Sequence, residues 1–494
     1  MAPLRGFTRK AQAILGTGVL IAGLGLAGWG FLRPPRPVRV MILPPEASTG
    51  DPALDAGLPV LLADHLEVLA GATVIRATTL PRPADLRRLP ADLRLLRFQG
   101  RRDPSGLAFA WAWTTPAALA QAPPGPLTET AVGPPAEALE RWVARWPLPV
   151  RYPLQASLVT ESPDRFWDLL DALAIQDDAS AATALGRTQR LAEAEPGCAT
   201  AWTALGDQLY RSLWVRPEEA GVDFNARTSQ AFQRALALVP GHPRATYLWS
   251  LFLTDLGDQP RALRRLIRAR KLRPCVPDLS RGLAYAGRTA GLLDGARRAL
   301  AWHQHLLDGL PDGSPWSLET TYLYLGDTAA FQREIGRVQA VRQDASVRFY
   351  QGYVALLQGH PDLARMAMKA GAEVPGASPF RDLCRAYLAQ LERRTREGLS
   401  DLEALDEVRG RLRIPDGEWT FKEAEAYALL GDANRAMDSA TRAFVQGFSC
   451  AHWFDASPFL ARARTHPRWP TLARNVRERQ AILERTFPAS AFEP

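Results

Sequence analysis

The chain has 494 residues, 47% hydrophobic and 23% charged, enough apolar material for large cores in two or three folded domains. Sixty basic against 52 acidic residues leave a formal charge of +8, too small an excess over this length to indicate nucleic-acid binding. Cys198, Cys275, Cys384 and Cys450 lie 66 to 109 residues apart with no C-x-x-C pair, so neither a zinc site nor a disulfide framework is indicated. They read as free thiols; in an oxidising compartment one pair could form, and the spacing does not say which.

The first conspicuous stretch is GLGLAG, Gly23 to Gly28, which has the G-x-G-x-x-G spacing of a dinucleotide cradle. That cradle needs a strand before it, a helix opening on it and an acidic residue about 20 positions later, and all three are missing. Instead the glycines sit in an uncharged run, residues 11–32, whose 22 residues would rise about 33 Å as a helix and span a bilayer core of roughly 30 Å. A cleaved signal needs a shorter apolar core and small residues at the cut, whereas Phe31, Leu32, Arg33 and Pro34 follow Gly30 here. We read residues 11–32 as an uncleaved transmembrane anchor. Arg5, Arg9 and Lys10 balance Arg33, Arg36 and Arg39, so flanking charge does not set its orientation.

Residues 33–37 form a proline-rich spacer. From Val38 the sequence predicts a strand in VRVMILP, a helix in LPVLLADHLEVLA and a strand in ATVIRATTL. A hairpin of LRLLRFQG and LAFAWAWTT then follows around RRDPSG, with Phe109, Trp111 and Trp113 on one face. This is a small α/β domain over residues 38–150. Its opening resembles the TolB amino-terminal-like domain: Leu43, Pro44, Gly50, Asp51, Pro52, Gly57 and Leu58 match that pattern, while Pro45 replaces a phenylalanine and Asp55-Ala56 stands for Ala-Asp.

Beyond it the chain repeats. Gly257, Ala262, Leu266, Ala269 and Pro274 recur 34 residues on as Gly291, Ala296, Leu300, His303 and Asp308. Four recur 34 residues back as Thr228, Phe232, Ala235 and Pro240. With Trp202, Leu205 and Gly206, and an insertion near 215–225, this resembles the tetratricopeptide pattern. About eight degenerate helix pairs fit residues 162–446, least regular over 391–413, with Leu-Gly-Asp at 256–258, 325–327 and 430–432 marking turns. Residues 447–494 resemble the segment that caps such arrays. The expected fold is therefore mainly α, a tetratricopeptide solenoid preceded by the α/β domain and one transmembrane helix.

No catalytic signature accompanies these elements. H-E-x-x-H, G-x-S-x-G and the P-loop pattern are absent, His303 and His305 are about 200° apart on a helix, and His242 and His360 fall in Gly-His-Pro turns. Asp177-Asp178 and Glu218-Glu219 read as solvated loop residues. The sequence therefore points to a protein that is not an enzyme and needs no cofactor or metal.

Two surfaces remain. Arg261, Arg264, Arg265 and Arg268 form a basic stripe at i, i+3, i+4, i+7 on one helix. The tetratricopeptide resemblance also places Tyr210, Arg211, Tyr247, Arg281, Tyr285 and Arg288 on the concave face, where a protein or peptide partner bearing carboxylates would suit the arginines. The segment order resembles the outer part of CadC-type membrane regulators. That resemblance implies a single-pass inner-membrane protein with residues 1–10 as a cytoplasmic stub, a periplasmic soluble part and no nucleic-acid partner. Two functions follow: a membrane-anchored scaffold for a partner protein, or the ligand-sensing ectodomain of a signalling system whose output lies in a separate cytoplasmic protein. Met1–Lys10 is too short to hold the winged-helix domain of the CadC pattern.

Overall fold

The structure, a computed structural model, describes residues 37–494 except 46, 122–124, 153–155, 161, 176, 215–222, 311–318, 341–343, 376–377 and 411–413. The anchor expected over residues 11–32 lies outside the described residues, and among these no helix is long and apolar enough to cross a membrane.

A five-stranded sheet opens the fold, in the order β2-β1-β3-β4-β5. β1 (Arg39–Ile42) runs parallel to both β2 (Thr73–Arg76) and β3 (Arg94–Asp103). β4 (Gly106–Thr114) and β5 (Glu129–Gly133) continue antiparallel. Val40 and Ile42 pack on one face while Met41 and Leu43 pack on the other, which is why this strand reads as an unbroken apolar run rather than an alternating one. Helix α1, made of the consecutive turns Ala53–Gly57, Leu58–His65 and Leu66–Ala70, covers the first face. Phe109 and Trp111 stack there at 5.2 Å, and Trp113 is only partly buried at the edge.

Four elements of this domain are not expected from the sequence: the short helix that follows β2, α3 (Pro116–Gln121), β5 and α4 (Pro135–Ala144), the last burying Trp142 against Phe109. A short α2 (Pro83–Leu86) caps the opposite face with Leu86. The second strand is shorter than the sequence suggested, ending at Arg76. The hairpin turn is tighter, because Arg101 to Asp103 still pair with Ala108 to Gly106.

The described residues then form antiparallel helix pairs. These are α5/α6 (Pro163–Ala174, Asp178–Ala194), α7/α8 (Ala199–Ser212, Phe224–Leu238), α9/α10 (Pro243–Asp255, Gln259–Leu272) and α11/α12 (Pro277–Thr289, Leu293–Leu307). The array continues through α13/α14 (Thr321–Tyr324, Thr328–Gln339), α15/α16 (Ala345–Leu357, Pro361–Ala372), α17/α18 (Pro379–Leu391, Thr395–Gly410) and α19/α20 (Gly417–Leu430, Ala433–Val445). Within the irregular stretch after Leu391, Thr395–Gly410 is ordinary helix, and residues 411–413 lie outside the described residues. Within a pair the helices meet at small residues: a Cβ on Gly206 would lie 2.6 Å from the Phe232 ring. Between helices, Gly257, Gly326 and Gly431 take positive φ. The aspartate after each caps the next helix, Asp258 accepting from Arg261 N–H at 3.1 Å, Asp327 from Ala330 at 2.9 Å and Asp432 from Arg435 at 3.0 Å. The Leu-Gly-Asp recurrence is thus a helix stop followed by a helix start.

The solenoid curls until its end meets its middle. Asp416 N–H donates to the Asp255 carbonyl at 3.0 Å and Ser449 N–H to Thr289 O at 2.9 Å. Gly257 approaches the Gln446 carbonyl so closely that a Cβ would sit 2.6 Å from its oxygen. The terminal segment, α21 (Ala451–Ala456), α22 (Ala461–Arg464) and α23 (Trp469–Thr486), does more than cover the last pair. Beyond α23 the chain reaches α10, where buried Arg270 donates to Phe492 O at 2.8 Å. The α/β domain also docks on the array, through Thr73 Oγ1 to Cys275 O at 2.6 Å and Arg273 Nε to Val68 O at 3.3 Å. One apolar core runs from β1 through α12, and a second fills α13 to α23. All four cysteines are buried and none is in a disulfide.

Candidate functional site: the enclosed cavity

The first helices of three successive pairs turn one stripe inward. Asp207, Tyr210 and Arg211 on α7 with Trp214 just after it, Arg244, Tyr247, Leu251 and Asp255 on α9, and Asp278, Arg281, Tyr285 and Arg288 on α11 share that face. With residues of α1, β2, α15 and α19 they line a cavity of about 680 Å³. All six residues expected on the concave face (Tyr210, Arg211, Tyr247, Arg281, Tyr285 and Arg288) line it. What the sequence did not disclose is the opposite wall: Val60, Asp64 and Glu67 of α1, Arg76 of β2, and Asp416, Glu418, Trp419 and Lys422 at the start of α19.

Charges on the wall pair with one another. Asp64 and Asp207 share Arg244 at 3.5 and 3.4 Å, and Asp207 and Asp178 share Arg211 at 2.9 and 3.5 Å, a chain that ties α1 to α6, α7 and α9. Arg288 bridges Glu418 at 3.1 Å and Glu319 at 3.4 Å, and Glu418 also accepts from Tyr324 OH at 2.9 Å. Buried Lys422 donates to Tyr353 OH at 2.8 Å and to Glu425 at 3.2 Å. The arginines named from sequence are therefore largely engaged inside the protein.

Ten carboxylates line the cavity against six arginine or lysine side chains. That balance is opposite to the one inferred from the concave arginines alone, because their acidic partners come from segments far away in sequence. Asp255 accepts hydrogen bonds from both Tyr210 OH and Tyr285 OH. Burial, with Asp416 beside it, pushes its carboxyl up to about 8 despite those donors. Asp416 is pushed up to about 6, again chiefly by burial. Burial raises Glu67 well above the usual range, with Asp278 and Asp64 adding to the effect.

Other expectations sort differently. Asp178, read as a loop residue, is on the wall and holds Arg211, while Asp177 caps α6 by accepting from Ser180 N–H at 2.8 Å. Glu218 and Glu219 lie outside the described residues. His303 lines the cavity with Nδ1 3.1 Å from Pro277 O, and burial lowers its pKa. The basic stripe faces away from the cavity. Arg261 and Arg265 stack on Trp249 at 5.2 and 3.5 Å, Arg264 lies 6.0 Å from the Phe487 ring, and Arg264 and Arg268 are exposed. The stripe is not a single open surface, since half of it covers an internal tryptophan.

No protein-family model matches the chain. No curated protein matches it either. Among solved structures it is similar to the APC/C hetero-tetramer Cut9-Hcn1, at 12% identity and TM-score 0.41, covering 72% of this chain and 66% of that one, just under two thirds of its length. It is also similar to yeast Tom70, at 13% identity and TM-score 0.33 over 65% and 68% of the two chains. A third likeness is to a tetratricopeptide repeat protein from Parabacteroides merdae, at 16% identity and TM-score 0.27 over 48% and 93%. The chain's own run of antiparallel helix pairs, with a 34-residue step from α9 to α11 and from α15 to α17, rather than these distant likenesses, makes it a tetratricopeptide-like solenoid.

Proposed function

We propose that this chain is a non-catalytic binding protein, anchored in a membrane by residues 11–32, whose curled solenoid holds a short segment of a partner protein. The observation that carries this is the convergence of aromatic and arginine side chains from three successive first helices, α7, α9 and α11, on one cavity. The apolar run of residues 11–32 supports the anchor. The segment order that resembles CadC-type regulators supports an inner-membrane protein with its soluble part in the periplasm.

One observation favours the second function, a ligand sensor acting through a separate cytoplasmic partner. Helix α1 and strand β2 of the domain next to the anchor form part of the wall, so occupancy of the cavity would be felt there directly. A cavity of about 680 Å³ also falls within the range of small-ligand sites, roughly 300 to 1,000 Å³.

Replacing Tyr247 with photoreactive benzoylphenylalanine in the full chain, in cells, tests both. A polypeptide adduct at position 247 that is absent from the same label at Arg268 is expected for the scaffold. A small-molecule adduct at 247 favours the sensor. Equal labelling at both positions, or none at 247, overturns the assignment of the cavity.

A further inference from the structure

We propose that the cavity receives an organic cation, an ammonium or guanidinium group seated against Asp255 and Asp416; this rests on the binding function above and names the chemistry of the ligand. The two carboxylates are brought together by the closure of the ring, Asp255 from the end of α9 and Asp416 from the cap of α19, joined by the 3.0 Å backbone hydrogen bond between them. Their hydrogen-bond partners are neutral, and the nearest cations act on Asp416 through space only: burial raises its carboxyl pKa, and Arg409 and, more weakly, Arg288 lower it. Asp255 accepts from two tyrosine hydroxyls and Asp416 from the Trp419 backbone N–H at 3.1 Å, and neither makes an ion pair among the described residues. Of the six basic side chains on the wall, Arg211, Arg244, Arg288 and Lys422 are already engaged with carboxylates, so an anion at those four would have to displace an existing partner, and Arg76 lies among Asp64, Glu67 and Asp278. A cation displaces none of these ion pairs, and with Asp255 and Asp416 held as carboxylates it supplies the partner that buried negative charge requires.

The walls around the pair suit such a head group. Tyr210, Tyr285 and Trp419 line the cavity beside the carboxylates, and aromatic faces attract cations; Arg288 already lies 4.5 Å from the Tyr285 ring and Arg409 3.9 Å from that of Trp419, so Tyr210 is the face left to a ligand. Trp419 is 4% exposed and its indole N–H has no hydrogen-bond partner, which leaves a donor for an acceptor on the ligand. A cationic head with a carbonyl nearby, as on a basic amino-acid side chain in a peptide, satisfies both groups. A metal ion does not fit as well, because no group of three or more His, Cys, Asp or Glu among the described residues is placed to hold one.

The test uses three probes with one backbone: N-acetylargininamide, neutral N-acetylglutaminamide and anionic N-acetylglutamic amide, titrated calorimetrically into the full chain. The arginine probe is expected to bind at least tenfold more tightly than the other two, by the strength of charge-assisted pairs. It should also release protons near pH 7, since the cation draws off the proton that burial, Asp416 and Glu418 favour on Asp255 against the Tyr210 and Tyr285 donors. In Asp255→Asn, proton release should vanish and affinity fall by on the order of tenfold. Should that variant not fold, Asp416→Asn and a pH series on the unaltered chain carry the same comparison. Tighter binding of the glutamic probe, equal binding of the neutral one, or no binding of any probe overturns the proposal. The photo-cross-link at Tyr247 separately decides whether the cavity binds a partner at all.

Discussion

Helices α10 and α19, with six and four charged residues in 14 each, have opposite fates. On α10, QPRALRRLIRARKL, Arg264 and Arg268 face solvent and the apolar residues Ala262, Leu263, Leu266 and Ala269 are buried, an ordinary amphipathic outer helix. On α19, GEWTFKEAEAYALL, the buried set includes Glu418, Lys422, Glu423 and Glu425, with relative exposures of 8, 1, 1 and 0%. Helix α19 is interior, its Lys422 and Glu425 paired at 3.2 Å, because the solenoid closes over it. The lesson is that in a curled solenoid a helix's charge pattern does not say which side it faces.

The largest effect expected from breaking this contrast is at Glu425. Glu425→Ala leaves Lys422 buried without its carboxylate partner and should cost about 3 to 5 kcal/mol, read by urea unfolding, whereas the pair change Lys422→Met with Glu425→Leu should recover most of it. If the single change cost under about 1 kcal/mol, water would be reaching α19 and its interior status would be wrong.

Next comes the closure. Gly257→Ala forces a side chain into a left-handed backbone with φ of +86° and against Gln446 O, and should cost about 2 to 3 kcal/mol. Hydrogen exchange should quicken in residues 446–449 and around Asp255 and Asp416 while the sheet keeps its protection. Uniform loosening would show that the ends are not held there.

Acidity sharpens the comparison more gently. Asp255, at about 8, and Glu423, pushed to about 7 mainly by burial, both have folded values above their unfolded ones. Their contribution to stability is full below about pH 4 and is lost as pH rises through about 7 to 8. Tm should therefore fall between about pH 5 and 9, and fall less in Asp255→Asn; a Tm independent of pH over that window would contradict the buried acids.

The outer helix should respond least. Arg265→Ala, which uncovers Trp249, is expected to cost about 1 kcal/mol, and Arg264→Ala or Arg268→Ala to stay within about 0.5 kcal/mol. A larger loss at Arg268 would mean that the stripe has a structural partner.

Arg270 shows where sequence analysis stops. It sits two residues beyond the stripe and looks no different from Arg264 or Arg268, yet it is 2% exposed and anchors the end of the chain through Phe492 O. The inward set on α7, α9 and α11 was legible because the 34-residue repeat fixes the register, and register fixes facing. Asp64, Glu67, Asp416 and Glu418 were not, since no repeat relates α1 to α9 and nothing local announces that α19 meets Asp255. The charge inferred for the ligand was skewed for that reason: one wall was readable and the other was not.

By itself, then, the sequence determined what is encoded locally. The period, the glycine stops and aspartate caps between helices, the small residue at Gly206 that admits Phe232, and the alternating Phe109 and Trp111 all depend on neighbours a few residues or one repeat away. The closure of the solenoid, the docking of the α/β domain on it and the acidic balance of the enclosed cavity belong to the tertiary structure. They arise from contacts between segments about 100 to 200 residues apart, whose pairing is set by accumulated curvature over many helix pairs rather than by any pattern within one.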